Sequence, residues 1–182
     1  MKQKGYFFPE NRRGQIWVET VIYTLIAFAL IGLVLGFVRP KIQEIQDEGV
    51  IEQSIEIVQE MDLVIRNLGG PGNQRVIEIG ISKGALNIDG TNDRIFFEVE
   101  SRHAYSQPGE DVGIGNIVAR TESVGDLFDV NLTRSLSDSY NITFQGRDDL
   151  RRLSQASTPY RILITDKGLD SGSRTIVDVE VI

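Results

Sequence analysis

Between Ile16 and Val38 the chain is apolar apart from Glu19, Thr20 and Thr24, with Gly32 and Gly36 inside the run. As a helix such a stretch reaches roughly 30 Å, the hydrocarbon thickness of a bilayer. Beyond Pro40 the pattern changes. Apolar residues fall at Ile51, Ile55, Val58, Met61, Ile65 and Leu68, with Val50, Ile57 and Val64 widening the face. Gaps of three and four predict a helix over Lys41–Leu68, continuing the first with an interruption and a kink at Pro40. Leu68-Gly69-Gly70-Pro71-Gly72-Asn73 then stops it.

After that stop the period falls to two. Strands are predicted at Arg75–Ile81, Ala85–Ile88, Arg94–Glu100, Ile117–Arg120, Leu127–Leu132, Tyr140–Gln145, Tyr160–Thr165 and Thr175–Ile182. Turn-rich pieces separate them, among them Ser82-Lys83-Gly84 and Asp89-Gly90-Thr91-Asn92-Asp93. A helical turn is expected over Asp148–Ala156. The fold class is therefore α+β: a long N-terminal helix followed by an antiparallel β-sheet or β-sandwich head. The chain divides into a basic leader (1–14), a helix (15–68), a hinge (69–73) and a β-rich head (74–182). Within the helix, residues 15–38 form the membrane-grade part and 39–68 an amphipathic stalk.

Charge gives this layout a direction. Lys2, Lys4, Arg12 and Arg13 precede the apolar run against Glu10, two basic residues follow it, and then acids take over. That asymmetry places the leader in the cytoplasm and the bulk of the chain outside. An ordinary secretory signal has a shorter apolar region and a small-residue cleavage site on its far side. Here the far side is Phe37-Val38-Arg39-Pro40-Lys41, an anchor's end. The net charge of −7 argues against nucleic acid as a partner. With no cysteine in 182 residues, disulfides, thiol catalysis and cysteine-ligated zinc are excluded.

Catalytic and cofactor motifs are lacking, so neither an enzyme nor a bound cofactor or metal is expected. His103 has no partner that spacing can assign and reads as a surface histidine. Gly113-Ile114-Gly115 lacks the third glycine and the strand-to-helix setting of a dinucleotide fingerprint. Asp89, Asp93, Asp166 and Asp170 sit in turns, where aspartate serves local hydrogen bonds, and they do not follow calcium-loop spacing. Glu44, Glu48, Glu52, Glu56 and Glu60 recur every four residues, either as a solvated face or as a stripe that meets basic residues of a neighbouring copy. Two glycosylation sequons, Asn131-Leu132-Thr133 and Asn141-Ile142-Thr143, place each asparagine on the polar face of an alternating segment.

The residue that stands out is Glu19. A carboxylate at the start of a membrane-grade helix costs on the order of a few kcal/mol. Just before it lies a natural cut point, the small Gly14 after Arg12 and Arg13. Cleavage between Gly14 and Gln15 would create a cationic amino terminus and make Glu19 the fifth residue of the trimmed chain. That carboxylate lies about a turn from the new terminus within one helix. Between staggered helices it can pair with the terminus of a neighbour, cancelling both charges in low dielectric and setting axial register.

Arg12-Arg13-Gly14, then Gln15, then Glu19, then an apolar helix, resembles the type IV prepilin signal. The glutamine after the cut is similar to the class III signal peptide of archaeal pilins and archaeal flagellins. Trp17 stands where that pattern usually has a small residue, and Tyr23 where it has leucine. The lack of cysteine also departs from disulfide-looped bacterial major pilins. The resemblance implies cutting by a prepilin peptidase between Gly14 and Gln15, with Arg12 and Arg13 as leader recognition residues and Glu19 as the assembly and register residue. It further implies a filament-core helix over 15–68 and an outward head over 74–182. The partners implied are the membrane, the peptidase, copies of the chain or other pilins, and indirectly a pilus assembly ATPase and platform. The expected function is a structural subunit of a surface filament. The rival is a single-pass display or binding protein that does not polymerise; a tethered enzyme ranks last.

Overall fold

The computed structural model describes residues 12–182, with the backbone alone described for residues 12–16. The basic head of the leader, residues 1–11, lies outside the described residues. Two compact units are present, with the boundary after Ile42.

The first unit is helical. Helix α1 (Arg12–Arg66) is 55 residues long and runs unbroken through Pro40. The expected interruption is therefore absent. Proline removes one N–H from the ladder, and the carbonyl that loses its donor belongs to Gly36.

The second unit, Gln43–Ile182, takes in the rest of α1 and all the strands. Here the helical spacing does what it predicts. Ile51, Ile55, Val58, Met61 and Ile65 are buried, as is Leu68 just past the helix end. Glu48, Glu52, Glu56 and Glu60 are exposed, the solvated row of the same helix.

Ten strands follow: β1 (Gln74–Ile79), β2 (Ala85–Asp89), β3 (Arg94–Ser101), β4 (Asp111–Ile114), β5 (Ile117–Val124), β6 (Leu127–Ser135), β7 (Tyr140–Phe144), β8 (Leu150–Ser154), β9 (Tyr160–Leu169) and β10 (Thr175–Val181). They form a four-stranded sheet, β1-β9-β10-β7, and a six-stranded sheet, β4-β5-β6-β3-β2-β8. All eight predicted strands are present, and two more complete the larger sheet at its edges. β4 closes onto β5 through the two-residue turn Gly115-Asn116, and β5 onto β6 through Gly125-Asp126. Both glycines sit at positive φ, 61° and 63°, which a tight hairpin turn needs and other residues resist.

One expectation is corrected. Asp148–Ala156 holds no helical turn: its central residues form β8, which pairs with β2 from Ala85↔Ser154 to Asp89↔Leu150. β8 buries only Leu153, so the alternation that marks an inner strand is missing. The head has the expected layout of a long helix followed by β-sheets, with one parallel pairing in it, β10 with β7. One apolar core joins α1 to both sheets. Phe97, Val99 and Leu132 come from the larger sheet, and Ile162, Ile164, Val177 and Val179 from the smaller.

The turn after α1 is fastened to β9. Gly72 N donates to the Asp166 carbonyl at 2.8 Å, and Asp166 N donates to the Asn73 carbonyl at 3.0 Å.

Candidate functional site

The first unit presents the most unusual surface in the molecule. Trp17, Tyr23, Phe28 and Phe37 are 71, 63, 67 and 75% exposed, and the apolar residues between them are exposed as well. An apolar helical surface this long, exposed at every position from Trp17 to Val38, is far beyond what a soluble monomer leaves open. It is long and apolar enough to cross a membrane, and no other helix among the described residues is.

At the start of this surface sits Glu19. Its Oε1 accepts a hydrogen bond from the Tyr23 hydroxyl at 3.2 Å, four residues along the same helix. Helical side chains lean toward the N-terminus, so a tyrosine one turn deeper reaches back over the carboxylate. One step around, the Thr24 hydroxyl donates to the Thr20 carbonyl at 2.8 Å. That bond hides a polar group the apolar surface could not otherwise carry. Arg12, Arg13, Gly14 and Gln15 occupy the first turns of α1, and their side chains lie outside the described ones.

The second unit is held to its helix by two carboxylates. Asp47 lies on the inner side of α1, where it accepts hydrogen bonds from Lys83 Nζ and from Arg102 N, the latter at 2.7 Å. Asp62, 4% exposed, takes Arg134 Nε at 2.6 Å, Arg66 Nε at 3.1 Å and Asn116 Nδ2 at 3.2 Å. A buried carboxylate needs such partners, because an unpaired one is strongly destabilising. Sequence reasoning missed both. The signal was present: Asp47 and Asp62 fall among the apolar positions of the helix, not along the glutamate row.

Of the four aspartates expected in turns, Asp93 and Asp170 lie between strands, while Asp89 ends β2 and Asp166 falls inside β9. Asp170 Oδ1 accepts from Gly172 N and Arg174 N at 2.8 Å each, and these backbone bonds hold its pKa down. Asp89 is pushed up by burial, yet bonds from Asn92 and Arg94 outweigh that and lower it. Asp93 does more. It accepts Ile142 N at 2.8 Å and Arg174 Nη1 at 2.6 Å, joining the β2–β3 turn to β7 and to the β9–β10 hairpin. Asp166 Oδ1 takes Gly168 N at 2.7 Å. No group of histidine, aspartate or glutamate arranged to hold a metal occurs among the described residues. His103 meets Ser101 through its backbone, whose N–H donates to Ser101 Oγ at 2.8 Å.

The two sequons differ. Asn131 lies mid-strand on β6, between Arg120 of β5 and Glu98 of β3, on the outward face of the larger sheet. Its Oδ1 accepts the Thr133 hydroxyl at 2.7 Å. It shares a shallow polar groove with Arg94, Asp111, Arg120, Glu122 and Asp129. Burial raises the pKa of Asp129, and Glu98, Glu122 and Glu100 raise it further. Asn141 lies on the edge strand β7. Thr143 of that sequon is 8% exposed, and its hydroxyl donates to Asp178 Oδ1 at 2.7 Å.

The arrangement offers an exposed apolar helix carrying one carboxylate, and a well-closed polar head. No protein-family model, no curated protein and no solved structure matches the chain.

Proposed function

We propose that this chain is a structural subunit of a type IV pilus-like surface filament. A prepilin-type peptidase removes the leader between Gly14 and Gln15, and the apolar helix then packs against copies of itself. The membrane is a storage state: lipid covers the apolar surface before assembly and neighbouring helices cover it afterwards. Glu19 sets the register by pairing with the amino terminus of the next protomer. The head, outside the membrane, forms the filament's outer surface.

The single observation that supports this reading is the uncovered run from Trp17 to Val38 with a carboxylate near its start. A plain anchor needs the apolar run but gains nothing from Glu19, whose cost there is a few kcal/mol in round terms. Neutralisation across a helix–helix contact removes that cost and leaves apolar packing to drive the contact.

Mass spectrometry of the membrane-associated protein tests the processing step, with Gln15 expected at the amino terminus. Shearing of cells should then release the protein as long polymers. Glu19→Ala should insert and be cut as before yet yield no polymer. An intact leader, or abundant protein with no polymer from the unaltered chain, favours a membrane-tethered display protein instead.

A further inference from the structure

We infer that Tyr23 is a positioning residue for Glu19, orienting its carboxylate for the amino terminus of a neighbouring copy without neutralising it. This rests on the assembly reading above. The Tyr23 hydroxyl lies 3.2 Å from Oε1, one turn away on the same helix, and is the donor to Glu19 among the described residues. With Oε1 engaged, the χ angles of Glu19 are restrained and Oε2 is left for an incoming donor.

The choice of donor matters. A lysine or arginine at position 23 would pair with Glu19 fully and cancel the charge that attracts a neighbour's ammonium group. A leucine or phenylalanine would leave the carboxylate with no donor from that position, free to sample several rotamers and costly to keep in lipid. A phenol is neutral, so it hydrogen-bonds the anion while leaving the net charge in place. Tyr23 is also amphipathic: its ring belongs to the apolar surface and its hydroxyl leans back toward the polar end of the span. Both side chains are exposed, so a neighbouring helix can reach the pair.

Two measurements on the full chain test the inference. In lipid vesicles, the infrared carboxylate-stretch band of Glu19, identified as the band lost in Glu19→Gln, should shift in Tyr23→Phe. An unmoved band overturns the inference. In cells, Tyr23→Phe should insert and be trimmed normally but lower the sheared polymer yield by about tenfold or more, the loss expected for one hydrogen bond to a charged group. Normal polymer from Tyr23→Phe, with polymer lost in Glu19→Ala, overturns the inference and leaves the assembly reading intact. No polymer from the unaltered chain overturns both.

Discussion

Asp62 shows how a single residue decides what α1 belongs to. Its carboxylate gathers Arg134 from β6, Asn116 from the β4–β5 turn and Arg66 from its own helix. Removing it strands Arg134, whose side chain is 19% exposed, beside an apolar core. Asp62→Ala should therefore lower the unfolding free energy by about 3 kcal/mol, the range for breaking a buried pair. Glu60→Ala, two residues away on the solvated row, should stay within about 0.5 kcal/mol. Urea unfolding of the two variants side by side checks the contrast. Glu19 was legible in the sequence because a charge stood out against an unbroken apolar run. Asp47 and Asp62 were harder to see, since their neighbours are a mixture and their partners lie far along the chain. Only the fold brings Lys83 to Asp47 and Arg134 to Asp62.

At the scale of elements, the amphipathic part of α1 is as much a piece of the head as any strand. Ile51, Val58, Met61 and Ile65 are each at most 2% exposed within the second unit. Burying each such side chain contributes about 1.5–3 kcal/mol, so together they rival the whole stability of a typical domain. A fragment beginning at Gln43 should accordingly be soluble and unfold in one cooperative transition. A fragment beginning at Gly69, with every strand but no helix, should bind hydrophobic dyes and show no such transition by calorimetry. Strands such as β5 could be read from period-two alternation because they present one face to the core, whereas β2 is buried at all five positions and is marked instead by its short length between turns. β4 and β8 could not be read from alternation. β4 has no buried residue and β8 only Leu153, and they are strands because a neighbouring edge offers them hydrogen bonds. β8 even places Arg151 and Arg152 side by side, with Arg151 over the Phe144 ring at 5.5 Å. Local propensity cannot see such an edge, and Asp148–Ala156 reads as helical from sequence for that reason.

Across the whole molecule, the acid response follows from three carboxylates. Asp89 and Asp170 have pKa values below the ordinary 3.8. Each contributes stability that is full above that value and is lost as pH falls through the lower, folded one. Asp129 has the opposite sign: its folded pKa is raised, so ionisation costs the folded state and protonation relieves it. The contributions of Asp89 and Asp170 should be present from neutral pH down to about 4 and be lost below it. Asp129→Asn should stabilise at pH 7 by about 0.5 kcal/mol, a figure kept small by solvent screening, with the gain vanishing below pH 3.8. Urea midpoints measured between pH 7 and pH 2.5 test both statements. The order of the strands carries a different lesson, about manufacture. β10 follows every other strand in the chain yet lies between β9 and β7 in the smaller sheet. A polypeptide made in sequence order must leave that gap open, with β7 and β9 unjoined, until residues 175–181 arrive. Newly made heads thus pass through a period of vulnerability to proteases and to sticky encounters, and it ends only when the latecomer strand slots in.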